Sequence, residues 1–123
     1  MQAMAIAAGG AVGALLRYWV STGTYALFGR AFPYGTLVVN VAGSLLLGVL
    51  YVLLIERLAH SAELRAFLLV GLLGAFTTFS TFSLETFNLL EEGEPFKAVL
   101  NVVLSVTLCL AATWAGVLAG RQL

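Results

Sequence analysis

Four long apolar runs, separated by short polar segments, make up almost the whole of this 123-residue chain. As a helix, each run is long enough to cross a hydrocarbon core of roughly 30 Å. The strands of a membrane barrel would be shorter and would alternate with polar residues. With 61% hydrophobic and 10% charged residues, a soluble domain of this size could not hide its apolar surface. The sequence therefore predicts an all-α membrane protein with four transmembrane helices.

The predicted helices cover about 2–28, 35–57, 64–90 and 95–120, and they form a single transmembrane domain over 1–123. No charged region precedes the first run, which favours a retained helix over a cleaved signal. The net charge of zero gives no indication of a nucleic-acid partner. His60 lies in the polar segment after the second run and is predicted to be solvated, because no second histidine is available to share a metal.

The third run contains residues that weaken a helix. Gly74 has no side chain, and Thr77 and Thr78 are β-branched. A break there would free backbone carbonyls at mid-membrane depth, where unwound helices bind cations. In lipid, such a break survives only inside protein or beside a cavity. The pattern therefore predicts a third helix that is broken near mid-membrane, at the working part of an ion pathway.

Aromatic and hydroxyl side chains follow the predicted break at helical spacing. Phe79 and Phe82 are three residues apart and share one face of the helix, and Ser80 and Ser83 share the adjacent face. Aromatic rings present a positive edge, and hydroxyl groups present hydrogen-bond donors. These four residues are therefore candidates for the wall of the pathway.

Two other helices carry polar side chains that have two interpretations each. Asn40, in the second helix, is typical of an interhelical hydrogen bond, or its amide donates to an ion. A polar stripe follows the fourth helix at every fourth residue: Asn101, Ser105, Cys109 and Thr113. Hydroxyl groups can bond their own helix backbone. The side chains of the stripe therefore either bond only within the fourth helix or form a second wall of the pathway.

Two charged residues lie within the predicted helices. Arg17, in the first helix, is either buried and functional or extends to the interface beside an aromatic belt. Glu85, in the third helix, lies either near the mouth of the pathway or near the membrane interface. The sequence leaves both pairs of alternatives open.

The chemistry of these groups favours a small anion as the cargo. Nearly all of the polar side chains inside the helices are neutral donors, and the chain contains no aspartate. This counts against a cation pathway built from rings of carboxylates. Neutral donors hold an anion weakly enough to release it, as conduction requires. This argument does not choose among the halides.

The distribution of basic residues indicates how the chain inserts. With four crossings, Arg57, Arg65 and Arg121 lie on one side of the membrane, and Arg30 and Lys97 lie on the other. A bias of three against two scarcely fixes an orientation. Four helices are also too few to enclose a pore. Together these observations predict a homodimer of two oppositely oriented copies in a lipid bilayer, whose two-fold axis lies in the membrane plane.

At these residues the chain resembles the Fluc (CrcB) family of fluoride channels, and the resemblance covers nearly its whole length. Three blocks carry it in the same order and spacing: GAVGALLRY at 10–18, GTLVVN at 35–40 with Gly43, and GLLGAFTTFSTFSLE at 71–85. In two positions of the fourth helix, Asn101 and Cys109, this chain departs from the Tyr and Ser that we associate with the family.

The resemblance implies a passive, fluoride-selective channel rather than an enzyme. It implies an antiparallel, dual-topology homodimer with two pores, multi-pass in the prokaryotic inner membrane. It also implies a central structural Na⁺ that is not transported, held by the backbone carbonyls of Gly74 and Thr77. The implied fluoride pathway includes Asn40, Phe79, Phe82, Ser80, Ser83, Ser105, Glu85 and Arg17.

One alternative function shares the length, the four helices and the dual topology. It is a proton-coupled exporter of organic cations, similar to the small multidrug-resistance transporters. That mechanism needs an acid deep in the first helix to exchange protons for the cation. The first helix of this chain has no acid and carries Arg17 instead, which counts against the exporter.

Overall fold

A computed structural model describes residues 1–57 and 61–123, so His60 lies outside the described residues. Helix α1 covers Gln2–Phe28, and α2 covers Tyr34–Tyr51 and continues as a π-helical segment, Val52–Arg57. Helix α3 covers 62–76 and consists of Ala62–Arg65, a π-helical Ala66–Leu73 and a last turn, Gly74–Phe76. Helices α4 and α5 cover Phe79–Glu91 and Pro95–Gln122.

The described residues contain no strand, and they form four helical spans long and apolar enough to cross a membrane. The spans are Gln2–Phe28, Tyr34–Arg57, Ala62–Glu91 and Pro95–Gln122, and the third contains both α3 and α4. This confirms the prediction of an all-α, four-span membrane protein.

Small residues let the helices pack at close range. Helix α1 packs mainly against α3, and α2 packs against α5. A Cβ atom added at Gly9 or Gly13 of α1 would collide with the α3 backbone at Phe67 or Leu72. In the same way, a Cβ atom at Gly116 of α5 would collide with the α2 backbone. Because lipid is as apolar as the helices, such close contact supplies much of their attraction.

The third span is interrupted at two threonines. Thr77 has φ −86° and ψ 158°, and Thr78 has φ −152° and ψ 120°, so both are extended. Gly74 keeps helical angles, with φ −61° and ψ −38°. The β-branched pair, rather than the glycine, therefore forms the interruption. Helix α4 then restarts with the Thr78 hydroxyl as its cap, accepting from the Thr81 N–H at 3.2 Å.

Polar contacts join the helices at both ends of the bundle. At one end, Lys97 Nζ donates to the Ala31 carbonyl at 3.3 Å, which ties α5 to the loop before α2. At the other end, Arg121 Nη2 lies 2.9 Å from Glu56 Oε2, and Arg57 donates to the Arg121 carbonyl. Exposed ion pairs contribute little to stability, so the apolar contacts between the helices carry the fold.

Candidate functional site

The side chain of Asn40 forms two hydrogen bonds with the backbone of Thr78, at the interruption of the third span. Its Nδ2 donates to the Thr78 carbonyl at 2.9 Å, and its Oδ1 accepts from the Thr78 N–H at 2.8 Å. The amide thus pairs with both polar groups of one residue, as a neighbouring backbone strand would. Asn40 is therefore an interhelical bridge, and one of its two Nδ2 hydrogens is still available to another acceptor.

The interruption leaves backbone carbonyls without their helical donors, and those of Gly74 and Thr77 are among them. In a continuous helix, the N–H groups of Thr78 and Thr81 would donate to the carbonyls of Gly74 and Thr77. Here the Thr78 N–H donates to Asn40, and the Thr81 N–H donates to the Thr78 hydroxyl. The Gly74 and Thr77 oxygens are therefore free to accept from another group or to coordinate a hard cation.

A cavity of about 450 Å³ opens beside the interruption. It brings together residues from all of the elements except α1, and four predicted pathway residues are among them: Asn40, Phe79, Phe82 and Ser105. Gly74 and Thr77, the predicted cation-site residues, also line it, as do Thr78, Ser44 and Cys109. The remaining walls are aliphatic. The cavity thus offers amide, hydroxyl and aromatic groups in an apolar setting.

The two phenylalanines form one aromatic unit on α4. Their ring centroids lie 5.3 Å apart, with the ring planes at 45° to each other. Phe82 is buried, whereas Phe79 is 77% exposed on the surface of the single chain. A tilted pair of this kind presents ring edges, which carry partial positive charge.

Ser80 and Ser83 lie on a different side of α4 from the cavity. Ser83 Oγ donates to the Phe79 carbonyl of its own helix at 2.9 Å, so its one hydroxyl hydrogen is engaged. Ser80 Oγ lies 3.4 Å from the Thr78 hydroxyl. Both serines are exposed on the single chain, and neither lines the cavity.

Glu85 is held by a residue of α1. The Tyr25 hydroxyl donates to Glu85 Oε2 at 2.9 Å, and the Arg30 guanidinium lies 4.5 Å from the centre of the Tyr25 ring. Glu85 Oε1 is buried and has no hydrogen-bond partner within the described part of the chain. The carboxylate does not line the 450 Å³ cavity.

Arg17 lines a second, smaller cavity of about 230 Å³. Hydroxyl side chains share its wall: Ser21, Thr22, Thr36, Thr78 and Thr81. Because Thr78 borders both cavities, this one meets the interruption from the α1 side. A guanidinium surrounded by hydroxyl groups is suited to hold an anion.

Two features of the site lie outside the candidates that the sequence supplied. At Gly43, a Cβ atom would collide with the Thr77 side chain and press on the Phe76 ring, so this glycine lets α2 approach the interruption. On α4, Thr86 joins Asn101 to Phe82: Asn101 Nδ2 donates to Thr86 Oγ1 at 2.9 Å, and Thr86 Oγ1 donates to the Phe82 carbonyl at 2.8 Å. The spacing of four residues from Phe82 to Thr86 was the available signal.

Comparison with known proteins gives one family and several close relatives. The model of the family described as CrcB-like protein, Camphor Resistance (CrcB), matches residues 4–117. A fluoride-specific ion channel FluC of Geobacter sulfurreducens is 58% identical over 98% of this chain and 97% of its own length. One from Coxiella burnetii is 53% identical over 100% of both chains. One from Methylococcus capsulatus is 62% identical over 97% of this chain, which spans 52% of that relative's length.

Proposed function

The chain belongs to the CrcB-like family, and on that premise we propose that it is a fluoride-selective ion channel. It passes fluoride down its electrochemical gradient and so lowers fluoride toxicity in the cytoplasm. Several relatives that share half or more of its residues over nearly all of this chain carry that function in their names. A channel provides a route rather than a chemical step, so the protein is a transporter and not an enzyme.

The observation that carries the proposal is the set of groups gathered in the 450 Å³ cavity. The Asn40 amide, the Ser105 hydroxyl and the edges of the Phe79 and Phe82 rings all offer positive polarity without a full charge. A small, strongly accepting anion gains hydrogen bonds there that replace part of its water shell. Since none of the described residues that line the cavity has a cationic side chain, the anion can leave again, as conduction requires.

The driving force comes from the membrane. One elementary charge that crosses a potential of 100 mV gains about 2.3 kcal/mol. Hydrogen fluoride enters an acidified cell as a neutral molecule and dissociates inside. A negative interior then drives the trapped fluoride out through an open pathway. No proton or cation has to be coupled to this movement, which distinguishes the protein from the exporter alternative.

We place the interruption near the middle of the bilayer. Thr77 is 15 residues after the start of the Ala62–Glu91 span, and Thr78 is 13 residues before its end. At this depth the free Gly74 carbonyl cannot face lipid, because an unsatisfied carbonyl there costs several kcal/mol. Gly74 is nevertheless exposed on the single chain.

A second copy of the chain would cover the interruption. Exposure of Gly74 and Phe79 at one depth supports a homodimer whose two-fold axis passes near that depth in the membrane plane. Such a dimer is antiparallel, and the nearly even split of basic residues supports the dual insertion that it needs. The assembly is a multi-pass protein of the cell membrane, with a pathway along each copy.

The dimer axis is a suitable place for a structural Na⁺. The free carbonyls of Gly74 and Thr77 from both copies would hold it, and carbonyl oxygens are the donors that a hard cation prefers. The described residues contain no group of His, Cys, Asp or Glu side chains that could hold a metal. When bound, the cation would balance the partial negative charge of these carbonyls.

The remaining predicted residues belong to the pathway in the dimer. Arg17, with its hydroxyl-lined cavity, attracts the anion on the α1 side of the interruption. Ser80 and Ser83, exposed on α4, face the second copy in this arrangement. Glu85, held by Tyr25, lies further along the same helix toward one mouth.

Ion efflux from liposomes that contain the purified protein tests the function. Fast fluoride release with negligible chloride release is expected, and Phe79→Ile should abolish it while the dimer persists. Equal release of both anions would contradict selectivity, and no release from a folded dimer would contradict the channel. For the cation, protein exchanged from sodium into N-methylglucamine salts should lose flux and recover it in sodium; unchanged flux without sodium would rule out a required Na⁺.

A further inference from the structure

Asn101 is one of the few side chains that are completely enclosed by this chain, at 2% exposure. It does not line the 450 Å³ cavity, although Ser105 and Cys109 of the same helical stripe do. In the polar stripe of α5, Ser105 and Cys109 therefore face the cavity, whereas Asn101 lies behind its wall. A buried amide of this kind needs hydrogen-bond partners, and the identity of those partners indicates its role.

One hydrogen-bond partner of Asn101 is Thr86, which is bonded in turn to the backbone of Phe82 in the cavity wall. Its Nδ2 donates to Thr86 Oγ1 at 2.9 Å. Thr86 has one hydroxyl hydrogen, which goes to the Phe82 carbonyl at 2.8 Å, so Thr86 can only accept from Asn101. A continuous chain of hydrogen bonds thus runs from α5 to the backbone of the residue that carries the Phe82 ring.

The other end of the amide meets Ser105. Ser105 Oγ lies 3.5 Å from Asn101 Oδ1, which is long for a hydrogen bond between these groups. The Ser105 hydroxyl can rotate, so this weak contact gives its hydrogen an acceptor without holding it firmly. An anion in the cavity could therefore take the hydrogen from Asn101 at little cost.

We propose that Asn101 is a positioning residue for the fluoride pathway. Through Thr86 it fixes Phe82 on α4 opposite Ser105 on α5, and its carbonyl oxygen accepts the Ser105 hydroxyl hydrogen whenever no anion is present. This inference rests on the proposed function, because Phe82 and Ser105 matter only if an anion passes between them. Asn101 itself does not touch the anion.

Substitutions at both ends of the bond test the proposal in the full-length protein in liposomes. Asn101→Leu and Thr86→Val each remove the bond while nearly keeping the side-chain volume. Each should lower fluoride flux about tenfold, by analogy with the loss of a hydrogen-bond partner that supports a metal ligand. The ratio of fluoride to chloride flux should fall as well, since misplaced groups discriminate less. Loss of properly folded protein alone would lower the flux without changing this ratio.

The double variant and two further substitutions make the test specific. Asn101→Leu with Thr86→Val should be no worse than Asn101→Leu alone, because both substitutions break the same link between Asn101 and Thr86. Thr86→Ser keeps the hydroxyl group, so this variant should conduct as the unchanged protein does. Thr107→Val is the matched control, since the Thr107 hydroxyl donates only to its own helix and is exposed. It should conduct as the unchanged protein does.

The outcomes separate this proposal from the proposed function. If Asn101→Leu and Thr86→Val conduct normally while Phe82→Ile does not, the positioning role is wrong and the pathway stands. If Phe82→Ile also conducts normally, the pathway itself is wrong. Should Asn101→Leu fail to assemble, Thr86→Val decides the matter, because it removes the same bond with a smaller change. Additive losses in the double variant would also overturn the proposal.

Discussion

The Asn40 amide uses a donor and an acceptor together, at 2.9 Å and 2.8 Å from the backbone of Thr78. A carboxylate has the same shape but can only accept. It could keep the bond from the Thr78 N–H, but it would leave the Thr78 carbonyl without a donor. It would also place a negative charge on the wall of the 450 Å³ cavity. Asn40 therefore differs from aspartate, the residue of the same shape, by the donor atom Nδ2.

Asn40→Asp is expected to abolish fluoride flux. Two like charges about 4 Å apart repel by on the order of 4 kcal/mol at an effective dielectric constant of 20, which corresponds to well over a hundredfold in rate. Flux from liposomes, together with dimer elution in size-exclusion chromatography, measures the effect. Asn88→Asp makes the same chemical change on the exposed surface of α4, outside the cavity, and should conduct normally. Normal flux through Asn40→Asp would place the pathway elsewhere.

At the level of helices, the contact between α1 and α3 depends on glycines that face backbone rather than side chains. Beside Gly13, the nearest atoms to an added Cβ belong to the Leu72 main chain, which cannot rotate away. Gly23, on the same helix, has open space around the corresponding position. Because α3 leads directly into the interruption, a shift at this contact would also move Gly74 and Thr77.

Gly13→Ala is expected to destabilise the folded protein, whereas Gly23→Ala should not. The added methyl group would force two backbones apart, at a cost of on the order of 3 kcal/mol, which is the upper end for overpacking. Thermal unfolding in detergent, followed by size-exclusion chromatography, compares the two variants directly. Equal stability of both would show that α1 and α3 do not pack at Gly13 in the membrane protein.

The sequence predicted helices more fully than it predicted their irregular parts. Apolar length was sufficient to predict the four spans. Local propensity also located the weak point of the third span, but Gly74 itself stayed helical. The Asn40 bridge acts four residues later, on Thr78. The π-helical segments, Val52–Arg57 and Ala66–Leu73, have no comparable sequence signal, since packing decides where a helix widens.

The same limit applies to the site. Spacing alone placed Phe79 beside Phe82, and the structure confirms their contact. It could not show that Asn101 turns behind the wall while Ser105 lines the cavity, because that depends on which neighbour each side chain meets. The roles of Ser80, Ser83, Glu85 and Arg17 stay predictions, since they depend on a second copy of the chain.

At the scale of the whole molecule, the proposed antiparallel dimer depends on a chain that inserts both ways. Extra lysines at the C-terminus should force one orientation, and extra lysines in the loop between α1 and α2 should force the other. Either variant produced alone should lose most fluoride flux, because it supplies only one of the two orientations. Produced together, the two variants should restore it. Full flux from a single, one-sided variant would rule out the antiparallel dimer.

Protease accessibility of a C-terminal tag in sealed vesicles reports whether each variant adopted one orientation. The unchanged chain, carrying the same tag, should be cut from both sides of the membrane. This control separates a failure to reorient the chain from a failure of the dimer hypothesis.

No carboxylate, guanidinium, amine or imidazole group is among the described residues that line the 450 Å³ cavity. The charge of these walls therefore stays the same when the surroundings turn acidic, which is when hydrogen fluoride enters a cell fastest. In the channel proposed above, the charge of these walls would therefore not make the anion's passage depend on pH. Protection against fluoride would then scale with the number of copies of the proposed channel in the membrane.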